Sequence, residues 1–390
     1  MAWGSWRAAA SGSGADAGST DRYGWGLVER TADGSTATGT KGAAEPGRRH
    51  RRFSWRHLAR RSWGRDADGR SPWTRGRVLA TLAVLTAVLL AFPSVVPNTV
   101  GRLGSLLETF LPWLGLAVPL LLVLALLRRS ATALVALLLP VAVWGQAFGG
   151  RLLPEDPGAH DLTAVQHNVS DVNTDPAGTA AALIVGAPDL VALEELTLAA
   201  LPAYEKALAG DYPHHAVEGT VGLWSRYPLS DVRRVDIRPA SIEEGWSRGL
   251  RSTARTPWGD IAVYVAHLPS VRLGWSGLGS GPRDESAGLL GAALAAEELD
   301  RVILLGDLNS TLDDRGLDPV TSRMDRMGSA GQAFAFSWPA SFPVSRIDQV
   351  LARSATVSHV RTLPATGSDH LPVAADIRLD RDSDDAPRTP

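Results

Sequence analysis

The alternation of apolar and polar positions divides the chain into two unlike parts. Three long apolar runs come first, at 78–96 with nineteen uncharged residues, then at 110–127 and 131–148. Each approaches the ~20 residues that cross a hydrocarbon core as a helix, so residues 78–150 are predicted to form three transmembrane helices. After about residue 161 the apolar segments shorten and are punctuated by glycine, proline and charge. Runs at 162–169, 190–193, 221–225, 261–267, 302–305, 347–351 and 373–377 read as strands, and 179–185 and 286–299 carry a helical period. Strands outnumber helices and several are half polar. That pattern predicts an α+β domain over 161–380, with two packed sheets covered by helices rather than a doubly wound parallel sheet.

Composition refines this picture at the ends of the chain. Residues 1–47 are Gly, Ser, Ala and Thr without a sustained period and, like 381–390, read as disordered tails. Between 48 and 77 stand eleven Arg against two Asp, interleaved with Phe53, Trp55, Trp63 and Trp73. A basic, aromatic stretch before an apolar run reads as a juxtamembrane segment on the cytoplasmic leaflet. With Arg128 and Arg129 also retained inside, three spans place the N-terminus in the cytoplasm and everything after the polar linker at 151–158 outside the cell membrane.

The net charge of -2 excludes binding of nucleic acid by general basicity, and residues 161–390 carry no basic stretch interleaved with aromatics. The absence of Cys excludes disulfides, a thiolate nucleophile and thiolate metal ligands, so any metal must sit on oxygen or imidazole.

Candidate chemistry gathers where strands end. The run Val302-Ile303-Leu304-Leu305-Gly306-Asp307-Leu308-Asn309 is a buried strand ending in a carboxylate and an amide two residues apart, which point to the same side if the chain stays extended. Gln166-His167-Asn168 closes the first strand of the domain, Leu193-Glu194-Glu195 the second and Ala266-His267-Leu268 another. Arg346-Ile347-Asp348-Gln349 and Gly367-Ser368-Asp369-His370 follow. Each motif alone is weak, since a lone His after a strand or a Ser-Asp-His turn is ordinarily structural.

In this order and spacing the six motifs resemble the endonuclease/exonuclease/phosphatase superfamily of DNase I-like, Mg²⁺-dependent phosphoesterases, over about residues 161–380. By architecture alone the chain looks closest to membrane-anchored bacterial members, the group that includes VanJ-type glycopeptide-resistance proteins. The resemblance implies a four-layer α/β/β/α sandwich of two mixed sheets. It implies Mg²⁺, with Mn²⁺ as a substitute, held by Glu195 with Asn168 and Asp369. Asp307 would orient or deprotonate the attacking water, Asn309 and Asn168 would bind phosphate, and His370 with Asp348 and then His267 would stabilise charge on the phosphoryl group. Arg248 and Arg283 are candidate phosphate clamps. Two positions depart from the family pattern: Glu194 stands where Gln is common, and Ser170 where several nucleases carry Asp.

The implied reaction is in-line attack of water without a covalent intermediate. A site tethered at a membrane points to a lipid-linked phosphate or pyrophosphate as substrate. The Gly-rich loop 269–282, with Leu273, Trp275 and Leu278, is suited to reach the headgroup region. The alternatives are an extracytoplasmic nuclease and a non-catalytic receptor or scaffold. No obligate protein partner is implied.

Overall fold

The computed structural model describes Gly69 and residues 71–153, 158–325 and 334–380. The tails at 1–47 and 381–390, and most of the basic segment at 48–77, lie outside the described residues.

The apolar part forms α1 (Arg77–Ala91), α2 (Leu103–Thr109), α3 (Ala117–Leu127), α4 (Ala131–Ala136) and α5 (Leu138–Phe148). The expectation of three spans is not met. α1 has 15 residues and ends at Phe92, where Pro93 disfavours the helical conformation of the residue before it. The second run, as Leu111–Leu127, is bent by 75° from the preceding Leu103–Thr109, with the break at Phe110 just before Pro112. Among the described residues one stretch, Ala131–Leu152, is long and apolar enough to cross a membrane, with 22 residues and a mean hydropathy of 1.8, and a second qualifies only if the bent pair counts as one span.

Inside this segment the contacts are made largely by small side chains. Ala83, Ala125 and Ala133 pack with Leu121 and Leu137, while Leu120, Leu127 and Leu138 point outward. The segment is also fastened to the rest of the molecule. Glu108, buried on α2, accepts from the Nε and Nη2 of Arg315 at 2.8 and 2.6 Å, Arg102 pairs with Asp284, and Trp113 Nε1 donates to the Val344 carbonyl at 2.7 Å.

The second part contains β1 (Leu162–Asn168), β2 (Leu190–Glu194), β3 (His214–Glu218), β4 (Val221–Ser225), β5 (Leu229–Arg234), β6 (Gly249–Thr256) and β7 (Gly259–Ala266). A small hairpin of β8 (Leu273–Gly274) and β9 (Gly277–Leu278) precedes β10 (Val302–Asp307), β11 (Asp348–Arg353), β12 (Ala355–Thr362) and β13 (Val373–Leu379). They assemble into a six-stranded sheet ordered β12-β13-β1-β2-β4-β3 and a five-stranded sheet ordered β11-β10-β7-β6-β5. Both sheets are mixed, because β1 runs parallel to β2 and β10 to β7 while their other pairings are antiparallel.

The side-chain alternation of each strand builds the layers. Leu162 and Ala164 of β1, Leu190 and Ala192 of β2, Ile303 and Leu305 of β10, and Val350 of β11 fill the space between the sheets. The opposite faces carry Val165, Val191 and Leu193 against α6 (Pro176–Leu183) and α7 (Leu201–Leu208), and Val302 and Leu304 against α8 (Gly281–Ala295). The result is the anticipated four-layer sandwich, helices over two face-to-face sheets. Following the same inner faces to one end of the strands leads from Leu162 and Ala164 to Gln166 and Asn168, from Ala192 to Glu194, from Leu305 to Asp307 and from Val350 to Asp348. A polar roof thus closes one end of an apolar core.

Candidate active site

The roof residues come together with short separations. Asp307 and Asp348 are register partners on β10 and β11, and β13, which follows His370, pairs with β1. His370 Nδ1 lies 2.9 Å from Asp348 Oδ2, and its Nε2 lies 3.8 Å from Asp307 Oδ2. Asn168 donates to Asp307 Oδ2 at 3.1 Å. His267 Nε2 is 3.7 Å from Asp307 and 3.8 Å from Glu195 Oε1. Glu195 has φ +60°, a left-handed backbone conformation, and it turns its carboxylate into the same space, where the Asp171 amide donates to it at 3.2 Å.

Local chain geometry fixes these positions. Gly306 has φ +152°, and a Cβ there would lie 1.9 Å from the Ala266 carbonyl oxygen, so only glycine lets β10 approach β7 just before Asp307. The loop carrying His370 is pinned from below: Ser368 Oγ donates to the Asn168 carbonyl at 2.6 Å and accepts from the His370 amide at 3.0 Å.

Asn309 meets Asp307 as anticipated, but not along an extended strand. The chain turns at φ +48°, bringing the Asn309 amide N–H to Asp307 Oδ1 at 2.9 Å and its side-chain Nδ2 to Asp307 Oδ2 at 3.3 Å. Nδ2 also donates to the Leu268 carbonyl at 2.9 Å, so the side chain holds Asp307 rather than standing free for phosphate. Arg283 is likewise engaged. Its buried guanidinium donates to Asp284 and Asp314, both at 2.7 Å, and to the Asn309 carbonyl at 3.4 Å, which makes it a brace for the 309–314 loop instead of a clamp. Arg248 lies against His267, with its Nη1 3.0 Å from Nδ1. Asp369 is exposed at the cavity rim, its carbonyl accepting from Ala340.

Three roof residues went unassigned in the sequence reading. Gln166 donates to both Glu194 Oε2 at 3.1 Å and Asp348 Oδ1 at 2.9 Å, and Ser337 donates to Asp348 Oδ2 at 2.5 Å. Glu194 is fully buried and faces inward. Burial, with Asp348 and Asp307 nearby, raises its carboxyl well above the usual range. The strand alternation through Leu190 and Ala192 carried that signal.

Electrostatics separate the groups. Burial lifts the Asp307 carboxyl to about 7 against the pull of His370. Burial opposes charge on His370 as well, but Asp348 and Asp307 outweigh it and raise the ring to about 10, so the imidazole is cationic at neutral pH. Burial and Arg248 push His267 well below its ordinary value, so that ring is neutral.

Ligand atoms of Asp307, Asp348 and His370 all lie within 4.8 Å of one another, close enough to hold a metal ion. The bond between Asp348 and His370 already satisfies one atom of each, whereas the carboxylates of Glu195 and Asp307 line one open space together with Asn168, whose Oδ1 accepts from the Ser170 amide at 3.0 Å. An all-oxygen set of this kind suits a hard divalent cation. The open space is a cavity of about 1010 Å³ lined by Asn168, Glu195, Asp307, Asp369 and His370 on one side.

A two-sheet sandwich with carboxylates, amides and a carboxylate-bound imidazolium gathered at one end of its strands is an arrangement suited to hydrolysis of phosphate esters. The chain belongs to the Endonuclease/Exonuclease/phosphatase family, whose model matches residues 149–370. Among solved structures it is similar to a beta toxin variant from Staphylococcus aureus with bound magnesium ions, at 14% identity over 55% of this chain and 99% of that one, TM-score 0.44. It is also similar to sphingomyelinase C from Streptomyces griseocarneus, at 17% identity over 55% and 98%, TM-score 0.43. TDP2 from D. rerio complexed with single-strand DNA product gives 18% identity over 56% and 99%, TM-score 0.46. No curated protein sequence matches the chain.

Proposed function

We propose that the protein is a membrane-held phosphohydrolase that depends on a divalent cation, Mg²⁺ or in its place Mn²⁺, and cuts a lipid-linked phosphate or pyrophosphate at the outer face of the membrane. One observation carries this reading: the catalytic cavity has the polar roof for one wall and a mixed, partly apolar lining from other elements. Phe110 from the helical segment and Val271, Leu273 and Leu278 from the 269–282 loop line it, beside Thr109, Ser270 and Arg272, and Trp275 at the hairpin tip is fully exposed. The base of that hairpin rests on the helical segment, with the Leu278 amide donating to the Gly101 carbonyl at 2.9 Å. A phosphate attached to an apolar chain matches both walls.

Three features support attachment to a bilayer. The outward faces of the helices are leucine and valine, the 22-residue stretch is long enough to span, and Arg128 and Arg129 precede it. Basic residues stay in the cytoplasm, which puts the residues after the stretch outside.

Within the cavity, Glu195, Asn168 and Asp307 would hold the cation, with Asp369 at the rim. When bound, it supplies Lewis-acid polarisation of a phosphoryl oxygen. Asp307 orients the attacking water and accepts its proton. Asn168 and Asn309 fix that carboxylate through their hydrogen bonds. His370, kept cationic by Asp348, donates to the oxygen on which charge accumulates, while His267 and Arg248 supply a neutral donor and a positive charge beside it.

The test is phosphate release from the detergent-solubilised full chain with lipid pyrophosphates, phosphodiester lipids, a water-soluble phosphate ester and DNA. The lipid phosphates should show the highest kcat/KM. Equal or faster cleavage of DNA replaces the substrate assignment with a nuclease, and no turnover of any phosphoester leaves a binding module.

A further inference from the structure

We propose that an apolar groove between α3, α5 and the segment around Phe336 receives the hydrocarbon chain of the substrate while its phosphate occupies the catalytic cavity. The inference rests on the phosphohydrolase reading and adds to it a second subsite, separate from the phosphate centre. The groove has a volume of about 480 Å³ and is lined by apolar residues, among them Trp113, Val118, Val141, Trp144 and Phe336.

Its chemistry selects the occupant. Among its lining residues the side-chain donors are the two indole N–H groups, and both are spent: Trp113 Nε1 on the Val344 carbonyl at 2.7 Å and Trp144 Nε1 on the Pro112 carbonyl at 2.8 Å. A polar ligand would lose its hydration there without replacement, whereas a methylene chain loses nothing. The mouth is edged by Leu116, Val141 and Leu152, which are 61%, 50% and 62% exposed. It therefore opens on the same leucine- and valine-rich faces that the bilayer would cover.

The groove and the catalytic cavity draw parts of their walls from the same two stretches of chain. Phe110 lines the cavity, and Pro112 and Trp113, two and three residues on, line the groove. Phe336 stacks on Trp113 with 5.5 Å between ring centroids and lines the groove. The next residue, Ser337, donates to Asp348 at 2.5 Å, and Trp338 lines the cavity again. A lipid phosphate lying over these stretches would have its head against the polar roof and its chain between two helices.

Two measurements test this on the full chain in detergent. Val141→Trp fills the groove, and the ratio of kcat/KM for a long-chain lipid phosphate to that for a short, water-soluble phosphate ester should fall about tenfold or more. An unchanged ratio refutes the groove alone. No turnover of either substrate by the unaltered chain refutes the phosphohydrolase reading and the proposal with it. Should the variant fail to fold, photolabelling of the unaltered chain in EDTA decides the question, using a lipid phosphate with a diazirine at the far end of its chain. Labelling at 112–118, 141–144 or 336 that an unlabelled lipid phosphate displaces better than the corresponding lipid alcohol supports the proposal. Labelling elsewhere, or equal displacement by the alcohol, overturns it.

Discussion

The helical segment and the sandwich domain sort their side chains differently. In the sandwich, leucine, isoleucine and valine fill the space between the sheets, while in the helical segment Ala83, Ala125 and Ala133 share one buried cluster with Leu121 and Leu137, Leu90, Leu111 and Phe148 form another, and Leu120, Leu127 and Leu138 stand outside. Hydrophobicity alone does not distinguish the two regions. The difference accords with the membrane attachment proposed above: water drives large apolar groups inward, whereas a bilayer accepts them and leaves small residues to set the close approach of helices. The cavity is lined from both regions, by Thr109 and Phe110 of the helical segment and by the roof of the sandwich.

The largest effect that sharpens this comparison lies in the polar roof. Asp348→Asn removes the carboxylate that holds His370 cationic, and turnover should fall about 10²–10⁴-fold. The sign of its pH dependence follows from the raised value of about 10: the wild-type ring keeps its proton through neutral pH, and in the variant activity should decline as pH rises through the ordinary histidine range. A pH-rate profile of both proteins measures this, and superimposable profiles would separate Asp348 from the protonation of His370.

Next in size is the buried pair of the sandwich. Arg251 donates to Glu297 from Nε and Nη2, both at 2.9 Å, and Tyr264 adds a third bond at 2.8 Å. Burial works against the charge, but these bonds prevail and lower the Glu297 carboxyl to about 2. A depressed folded-state value gives stability that is present above the ordinary value near 4.5 and lost as pH falls toward 2. The stabilisation is about 3 kcal/mol. Denaturant unfolding of wild type and Glu297→Gln at neutral pH and at the acid end should show the gap between them close on acidification.

Comparable in magnitude, but confined to the other region, is Leu120→Lys. On the membrane-held proposal the exposed Leu120 faces lipid, where a charge costs about 3 kcal/mol of membrane insertion, so the variant should partition away from membranes. Val185→Lys is the matched control. Val185 is 84% exposed, yet it sits on the sandwich and faces water, so the change should alter stability by less than about 0.5 kcal/mol. Equal behaviour of the two in membrane flotation would erase the distinction between the regions.

Much of the roof was legible because strand alternation is strict. Val221–Ser225 has the anticipated bounds, and the ends of the runs carrying Asn168, Glu195, His267, Asp307, Asp348 and His370 converge on one site. What the sequence did not reveal depended on partners distant along the chain. Arg283 is held by Asp314, 31 residues away, and Ser337 reaches Asp348 from a loop with no period. The strands β3, β5, β6 and β12 were missed: β3, β5 and β12 lie at sheet edges and are only partly buried, and β6, though buried inside its sheet, carries Arg251, Ser252, Thr253 and Arg255 and so shows no apolar run. The three spans were overcounted because hydropathy registers the apolar content of 78–96 and 110–127 but is blind to the breaks imposed by Pro93 and Pro112.

The central claim is that the roof of the sandwich core is a centre for phosphoester hydrolysis that works with a divalent cation. Phosphate release by the full chain before and after chelation, compared with Asp307→Asn, tests it most directly. Activity should vanish in EDTA, return on adding Mg²⁺ to the wild type, and fail to return in the variant. Turnover that survives chelation, or an Asp307→Asn chain as active as the wild type, would contradict it.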